Sequence, residues 1–443
     1  MRTPVASGFL LFVAAALSVG PAAAGDWPRF RGPNGNGISP DTVAPPVKFS
    51  ATENLKWSVA LPGEGVSSPI VVGDRVFITA YSGYGYEPGD LLDLKRHLLC
   101  LDRQTGKILW QKSVEAVLPE DSFSGLGVPA HGYASHTPVS DGKRVYAFFG
   151  KSGVYAYDLD GKQLWRASVG TESDRRRWGS SSSPILVDNT LVVTAGPERR
   201  AMVGLDAETG KELWAAESES FGDVWGTPIL VTSGDRTDIV IGAPGEMWGI
   251  NPQTGKVRWY CEAIQSDQFN TSVVASDGVI FAVEGRGGGA IAIKAGGKGD
   301  VSQSNVLWTG RDANRFGTPV VYEGRIYFVA NGIANCLDAK TGSKLYQSRL
   351  PRPEGSESEP QQDSGRGRGG FGGQDYASPV IAAGRVYYVS AGGDIHVWKT
   401  GDSFESLAVN RLASGETFAA TPAISAGDLF IRSNKKLYCV GAK

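Results

Sequence analysis

The chain has 443 residues, 41% of them hydrophobic, with 59 Gly, 11 Trp and a formal net charge of −2. That supplies ample apolar material for a core in a turn-rich, aromatic-rich β composition. It also removes the electrostatic case for nucleic acid or an anionic membrane surface as partner.

The first 24 residues read as an export signal: Arg2, an apolar stretch over 9–19, and Ala22-Ala23-Ala24 before Gly25, which predicts cleavage after Ala24. The stretch is short for a membrane span, an uncleaved anchor being the alternative. No later segment reaches eighteen consecutive apolar residues, so a soluble, exported, periplasmic or envelope monomer without a transmembrane segment is expected. Residues 25–54 follow, opening with Asp26-Trp27-Pro28-Arg29-Phe30-Arg31-Gly32-Pro33. Pro and Gly there forbid a long helix or a central strand, which predicts an extended arm whose Trp27 and Phe30 can plug onto the body.

From residue 55 to 443 one phrase recurs eight times: Ser/Thr-Pro, a β-branched run, a short turn, two more runs, then Asp, Gly, Lys and Trp. Copies are plainest at Asp102, Gly106 and Trp110; at Asp160, Gly161 and Trp165; at Asp206, Gly210 and Trp214; and at Asn251, Gly255 and Trp259. The phrase predicts four strands per copy. The first strand starts at the Pro, which need not donate to a ladder there; in the fifth copy Ser272-Val273 replaces Ser/Thr-Pro. The second covers 76–80, 145–149, 191–195, 239–242, 279–283, 326–330, 386–390 and 429–432. The last copy stops after three strands, and residues 55–59, with Trp57 in place, supply the missing fourth. The fold class is therefore all-β: an eight-bladed β-propeller of four-stranded antiparallel blades, closed by pairing the N-terminal strand with the C-terminal blade. Tyr346 takes the Trp slot of the sixth copy and the seventh has no aromatic there, which makes blade 7 the weakest.

The repeat resembles the PQQ-repeat (quinoprotein-like) β-propeller family, most closely its BamB-like exported members, over about residues 55–443. The resemblance implies that Trp57, Trp110, Trp165, Trp214, Trp259 and Trp308 fasten neighbouring blades and form no cofactor box. BamB-type assembly factors are lipid-anchored and contact a membrane β-barrel; the chain has no Cys before Cys100 to carry a lipid. Cys100, Cys261, Cys336 and Cys439 include no adjacent pair. Buried thiols are expected, a Cys100–Cys439 bridge being the alternative.

Residues recurring in every copy hold copies together, so activity is sought where copies differ. The insertions, at 81–97, 115–135, 170–182, 284–289 and 350–376, all fall in the loops between second and third strands or between blades, hence on one face of the ring. On that face, ahead of each first strand, aromatics recur beside polar residues. His136, Arg177, Trp178, Asp223, Trp225, Phe269, Arg315, Phe316, Asp375, Tyr376 and Phe418 are the candidate ligand-binding residues at the channel mouth, or else caps on the blade ends. His97, His131 and His136 match no metal-ligand spacing, and no metal site is assigned. Residues 351–375, with a Gly-Arg-Gly-Arg-Gly-Gly run, are expected to be a disordered tether; no strand–helix unit makes their Gly pattern a nucleotide fingerprint.

Two functions follow. One is a non-enzymatic scaffold binding a protein, peptide or glycan, with no catalytic residue assigned. The other, implied by the resemblance, is a PQQ- and Ca-dependent dehydrogenase oxidising an alcohol or sugar; no motif assigns Asp223, Asp375, Glu64 or Glu416 a role in it.

Overall fold

The computed structural model describes residues 25–85, 89–125, 127–285, 288–353 and 375–442. The expected leader (1–24) and nearly all of the 351–375 insertion lie outside them. Eight antiparallel sheets form the ring. Blade 1 is typical, with strands Ile70–Val72, Arg75–Ser82, Lys95–Asp102 and Ile108–Glu115 from channel to rim. The β-branched second strands are almost wholly buried, for example Thr190–Ala195 and Arg325–Ala330. Seven of the eight begin one to three residues before the expected run, because the flanking polar residues still pair, and those of blades 2 and 7 end one residue short of it. The ring closes as anticipated: Leu55–Ala60 pairs antiparallel with Lys436–Val440, Trp57 lying opposite Cys439. This removes the free edge that an open sheet array would expose.

The seams between blades are sealed by indoles. Trp57, Trp110, Trp165, Trp214 and Trp308 each donate their Nε1–H to a carbonyl in the following blade, at Arg103, Leu159, Ala207, Pro252 and Ala339, over 2.9–3.0 Å. Each ring lies flat against the turn glycine of that blade. Gly210 has φ 71°, and a Cβ there would come within 2.5 Å of the Trp165 ring. The position therefore requires glycine twice over, for backbone hand and for space.

Trp259 departs from the pattern. Its Nε1–H bonds Asp238 Oδ2 of its own blade at 2.8 Å. The reason lies in blade 5, whose turn after Lys294 lacks the Asp-x-x-Thr-Gly sequence and makes a longer excursion. That excursion adds a fifth strand, Gly299–Asp300, parallel to blade 4 at Trp259 and Tyr260, and Val301 packs into the same cluster as Trp259.

Blade 7 places Ala408 in the slot that holds Tyr346 in blade 6 and Trp57 in blade 8. The seam from blade 7 to blade 8 is filled by the arm. Phe49 is buried in the hydrophobic cluster that spans blades 7, 8 and 1. Asn410 ties the arm down, accepting from Phe49 N–H (2.9 Å) and donating to the Val47 carbonyl (2.9 Å). Tyr387 donates to the Pro45 carbonyl at 2.7 Å. The four cysteines are free, buried thiols, so no Cys100–Cys439 bridge forms; burial pushes the thiols of both up to about 12.

Candidate functional site

Two residues ahead of every inner strand stands a hydroxyl side chain, and these make a belt around the channel. Ser68 N–H donates to Thr137 Oγ1 (3.0 Å), and Thr137 N–H to Ser183 Oγ (3.0 Å). The pattern continues through Thr227, Ser272, Thr318 and Ser378 to Thr421 at 2.9–3.0 Å. Each blade thus satisfies the first amide of its predecessor, which the Pro that follows could not do. At the remaining seam, blade 8 to blade 1, Arg432 crosses instead, its Nη1 donating to Ser67 Oγ (2.7 Å) and to the carbonyl of Thr79 (2.8 Å).

The arm closes the channel from the face of the short turns. Trp27, fully buried, pairs with Val71 of blade 1, and Ile38 with Ile381 of blade 7. Ser140 N–H of blade 2 donates to the Pro28 carbonyl at 2.9 Å. Arg31 reaches inward and donates to the carbonyls of Pro319 (2.6 Å), Thr318 (3.2 Å) and Pro379 (3.4 Å). Phe30 is left as the floor of a cup of about 160 Å³ opening among the crossing loops. The belt hydroxyls line its waist, and Trp178, Trp225, Phe316, Tyr376, Asn270 and His131 its upper wall. Among the described residues, none lining the cup is Asp, Glu, Lys or Arg.

The wall is braced from behind. Asp174, buried, accepts from Trp178 N–H (2.9 Å) and Gly179 N–H (3.1 Å), while Trp225 Nε1 donates to the Gly179 carbonyl (2.7 Å). Arg176 lies 5.2 Å over the Trp178 ring and pairs with Asp223 and Asp267. Phe316 and Tyr376 pack with centroids 4.5 Å apart and planes tilted by 33°, and Arg315 sits 4.9 Å over Phe316. Such aromatic pairs and cation–π contacts hold rings in place at the water boundary.

Behind Trp178 and His131 lies a smaller, polar chamber of about 30 Å³. Arg96 bonds Glu120, and Lys151 lies 3.5 Å from Asp121. Ser180 links His136 Nε2 (2.9 Å) to Glu198 Oε1 (2.5 Å). Burial raises Glu198 to about 7 and lowers His136 to about 3. His136 is therefore neutral near pH 7, where the Glu198 proton is on the point of leaving.

The eleven candidates divide by position. Trp178, Trp225, Phe316 and Tyr376 line the cup. Arg177 is exposed, with φ 54°, and is not in the lining. Asp223 is engaged by Arg175 and Arg176, Arg315 by the Phe316 ring, and Asp375 by the Ala391 amide. His136 lines the inner chamber, and Phe269 and Phe418 are packed inside blades, the first against Gly242 and the second against Gly393. Spacing alone does not separate an aromatic turned to the channel from one turned into a blade. The belt hydroxyls were legible and missed: where the fifth copy loses its Pro it keeps its Ser, marking the hydroxyl as the required group.

The cup sits at the centre of a closed-ring, repeat-built fold. The chain belongs to the family described as outer membrane protein assembly factor BamB, matching it over residues 46–225 and 94–348. It is 27% identical over 270 residues to polyvinylalcohol dehydrogenase of Sphingopyxis sp. (strain 113P3), covering 48% of this chain and 36% of that one. It is 26% identical over 203 residues to outer membrane protein assembly factor BamB of Burkholderia pseudomallei (strain K96243), covering 46% and 43%. The chain thus spans less than half the length of these curated relatives. Among solved structures, BamB from Moraxella catarrhalis superposes with a TM-score of 0.59 at 12% identity, covering 88% of this chain and 99% of that one. A europium-containing methanol dehydrogenase superposes at 0.63 and 11% identity, covering 95% and 98%. At these identities the superpositions establish the fold alone.

The dehydrogenase relatives raise the question of a calcium-bound quinone. Calcium takes six to eight oxygen ligands, carboxylates prominent among them. Among the described residues no three His, Cys, Asp or Glu are grouped to hold a metal, and Asn270 is the one side-chain amide in the cup lining. The lining does not fit that cofactor.

No helix among the described residues is long and apolar enough to cross a membrane.

Proposed function

We propose that the protein is an exported binding module that holds a protein, peptide or glycan partner on its crossing-loop face, with the cup receiving a group that the partner projects. The observation carrying this reading is the one-ended cup itself, floored by Phe30 and walled by Trp178, Trp225, Phe316 and Tyr376, with no charged side chain in its described lining. Concave, mostly apolar sites with a few placed polar groups are built for recognition. The leader over 1–24 supports export, and the family supports an envelope partner. The braced wall supports a preorganised site, which lowers the cost of binding.

Peptide and glycan arrays probed with the wild type and with Trp178→Ala/Trp225→Ala test it. Losing two aromatic anchors is expected to weaken binding by about 2 kcal/mol or more, measured below the melting temperature of the variant, which falls because Trp225 is buried and hydrogen-bonded. Hits that bind both proteins equally would overturn the cup as the site. The dehydrogenase reading is tested on the same protein with PQQ and Ca²⁺: a stoichiometric quinone spectrum with dye-linked alcohol oxidation would replace the binding module with an enzyme.

A further inference from the structure

The belt lines the cup with donors that the protein leaves unused. In seven of its residues, Thr137 through Thr421, the hydroxyl oxygen already accepts an N–H from the preceding blade. Among the described residues no acceptor takes the hydroxyl's own proton. These side chains are all more than nine-tenths buried and line the cavity. Facing the cup, these donors are available to whatever enters it, and an occupant with surplus acceptor oxygens pairs with them where an apolar group would not.

A second observation concerns charge. Arg31 is fully buried, and the acceptors of its guanidinium are carbonyls of Asn36, Thr318, Pro319 and Pro379, the second of them in the belt itself. Burial pulls it to about 9, which leaves it charged at neutral pH. A buried cation with no carboxylate partner is costly, and an anion nearby relieves that cost. The buried acid behind Asn270 does not answer it: Glu284 Oε2 accepts from the amides of Asn270 (3.0 Å) and Thr271 (2.6 Å), and Oε1 from Gly285 (2.9 Å).

We propose that the cup receives a carboxylate, from the free C-terminus of a peptide or from a small organic acid. The belt hydroxyls donate to its oxygens and Arg31 supplies the compensating charge. Trp178, Trp225, Phe316 and Tyr376 cover the apolar group that it carries. The inference rests on the cup being the binding site.

The test titrates the full chain, by calorimetry and tryptophan fluorescence, with a short peptide ending in phenylalanine, as free acid and as C-terminal amide, and with 3-phenylpropionate. The free acid is expected to bind about tenfold or more tighter than the amide. A peptide acid that outbinds 3-phenylpropionate identifies a peptide terminus; equal affinity identifies a small acid. Acid and amide binding alike, both quenching the cup tryptophans, would overturn the carboxylate and leave the cup standing. No binding by any probe, with array hits insensitive to the tryptophan substitutions, would overturn both. Thr227→Val, which keeps the shape but removes one donor together with the acceptor of Ser183 N–H, is expected to narrow the acid–amide ratio. If that variant does not fold, the wild-type ratio alone decides.

Discussion

Between blades 2 and 3 the seal is a single side chain, Trp165, pressed on Gly210 and bonded to the Ala207 carbonyl. Between blades 7 and 8, where the Trp slot holds Ala408, it is a segment from the other end of the chain, with Phe49 in the gap and Asn410 holding its backbone. Both solutions fill a wedge between twisted sheets with one aromatic ring and fix it with one or two hydrogen bonds. They differ in what else they do. The indole only joins its neighbours, whereas the strap that brings Phe49 also carries Trp27, Phe30 and Arg31 across the channel. One sealing element therefore shapes the site and the others do not.

Deleting residues 25–54 breaks this comparison most severely. It removes two fully or nearly buried aromatics and the channel floor, and is expected to cost about 5 kcal/mol or more, read as a lowered denaturant midpoint with loss of cup binding. Next come the single rings. Phe49→Ala and Trp165→Ala should each cost about 3–5 kcal/mol, with only the first altering ligand affinity. Equal effects of the two on binding would show that the strap has no special role. The smallest effect separates the seams by pH. Glu198, on the blade 3 side of the Trp165 seam, is raised from its ordinary range near 4.5 to about 7. Its folded state holds a proton that the unfolded chain has lost, so its contribution is present below about pH 4.5 and is lost as pH rises towards 7. The stability of the wild type relative to Glu198→Gln should fall by about 2 kcal/mol over that interval. Phe49→Ala should leave that difference unchanged. A flat difference would mean that Glu198 is ionised when folded.

Most of the ring was readable because its rules are local. A Trp four residues after a turn Gly fixes a strand pair and a seam, and a copy lacking its fourth strand at one terminus fixes closure by the other. At Trp259 the form of the contact with blade 5 was not legible, because the excursion that meets the ring lies some forty residues on, in Gly299–Asp300. The fate of the arm was less readable still. Trp27 and Phe30 announced an arm that plugs onto something, but the gap that Phe49 enters is defined by a residue that is absent, at Ala408. Loop length put the candidate site residues on the crossing-loop face, and which of them turn towards the axis depends on packing that no spacing encodes.

The belt has a direction. Every amide–hydroxyl bond runs from a blade to the next in chain order, and the run stops between Thr421 and Ser68, where the two ends of the polypeptide meet. At that same place Leu55 lies opposite Val440, so the chain leaves the final ladder on both sides at one end of it. A pull on the termini would meet the strap first. Once that yielded, the load would fall on a single pair of bonds at a time. Mechanically the ring is a bracelet with one clasp, and the N-terminal strap is its catch.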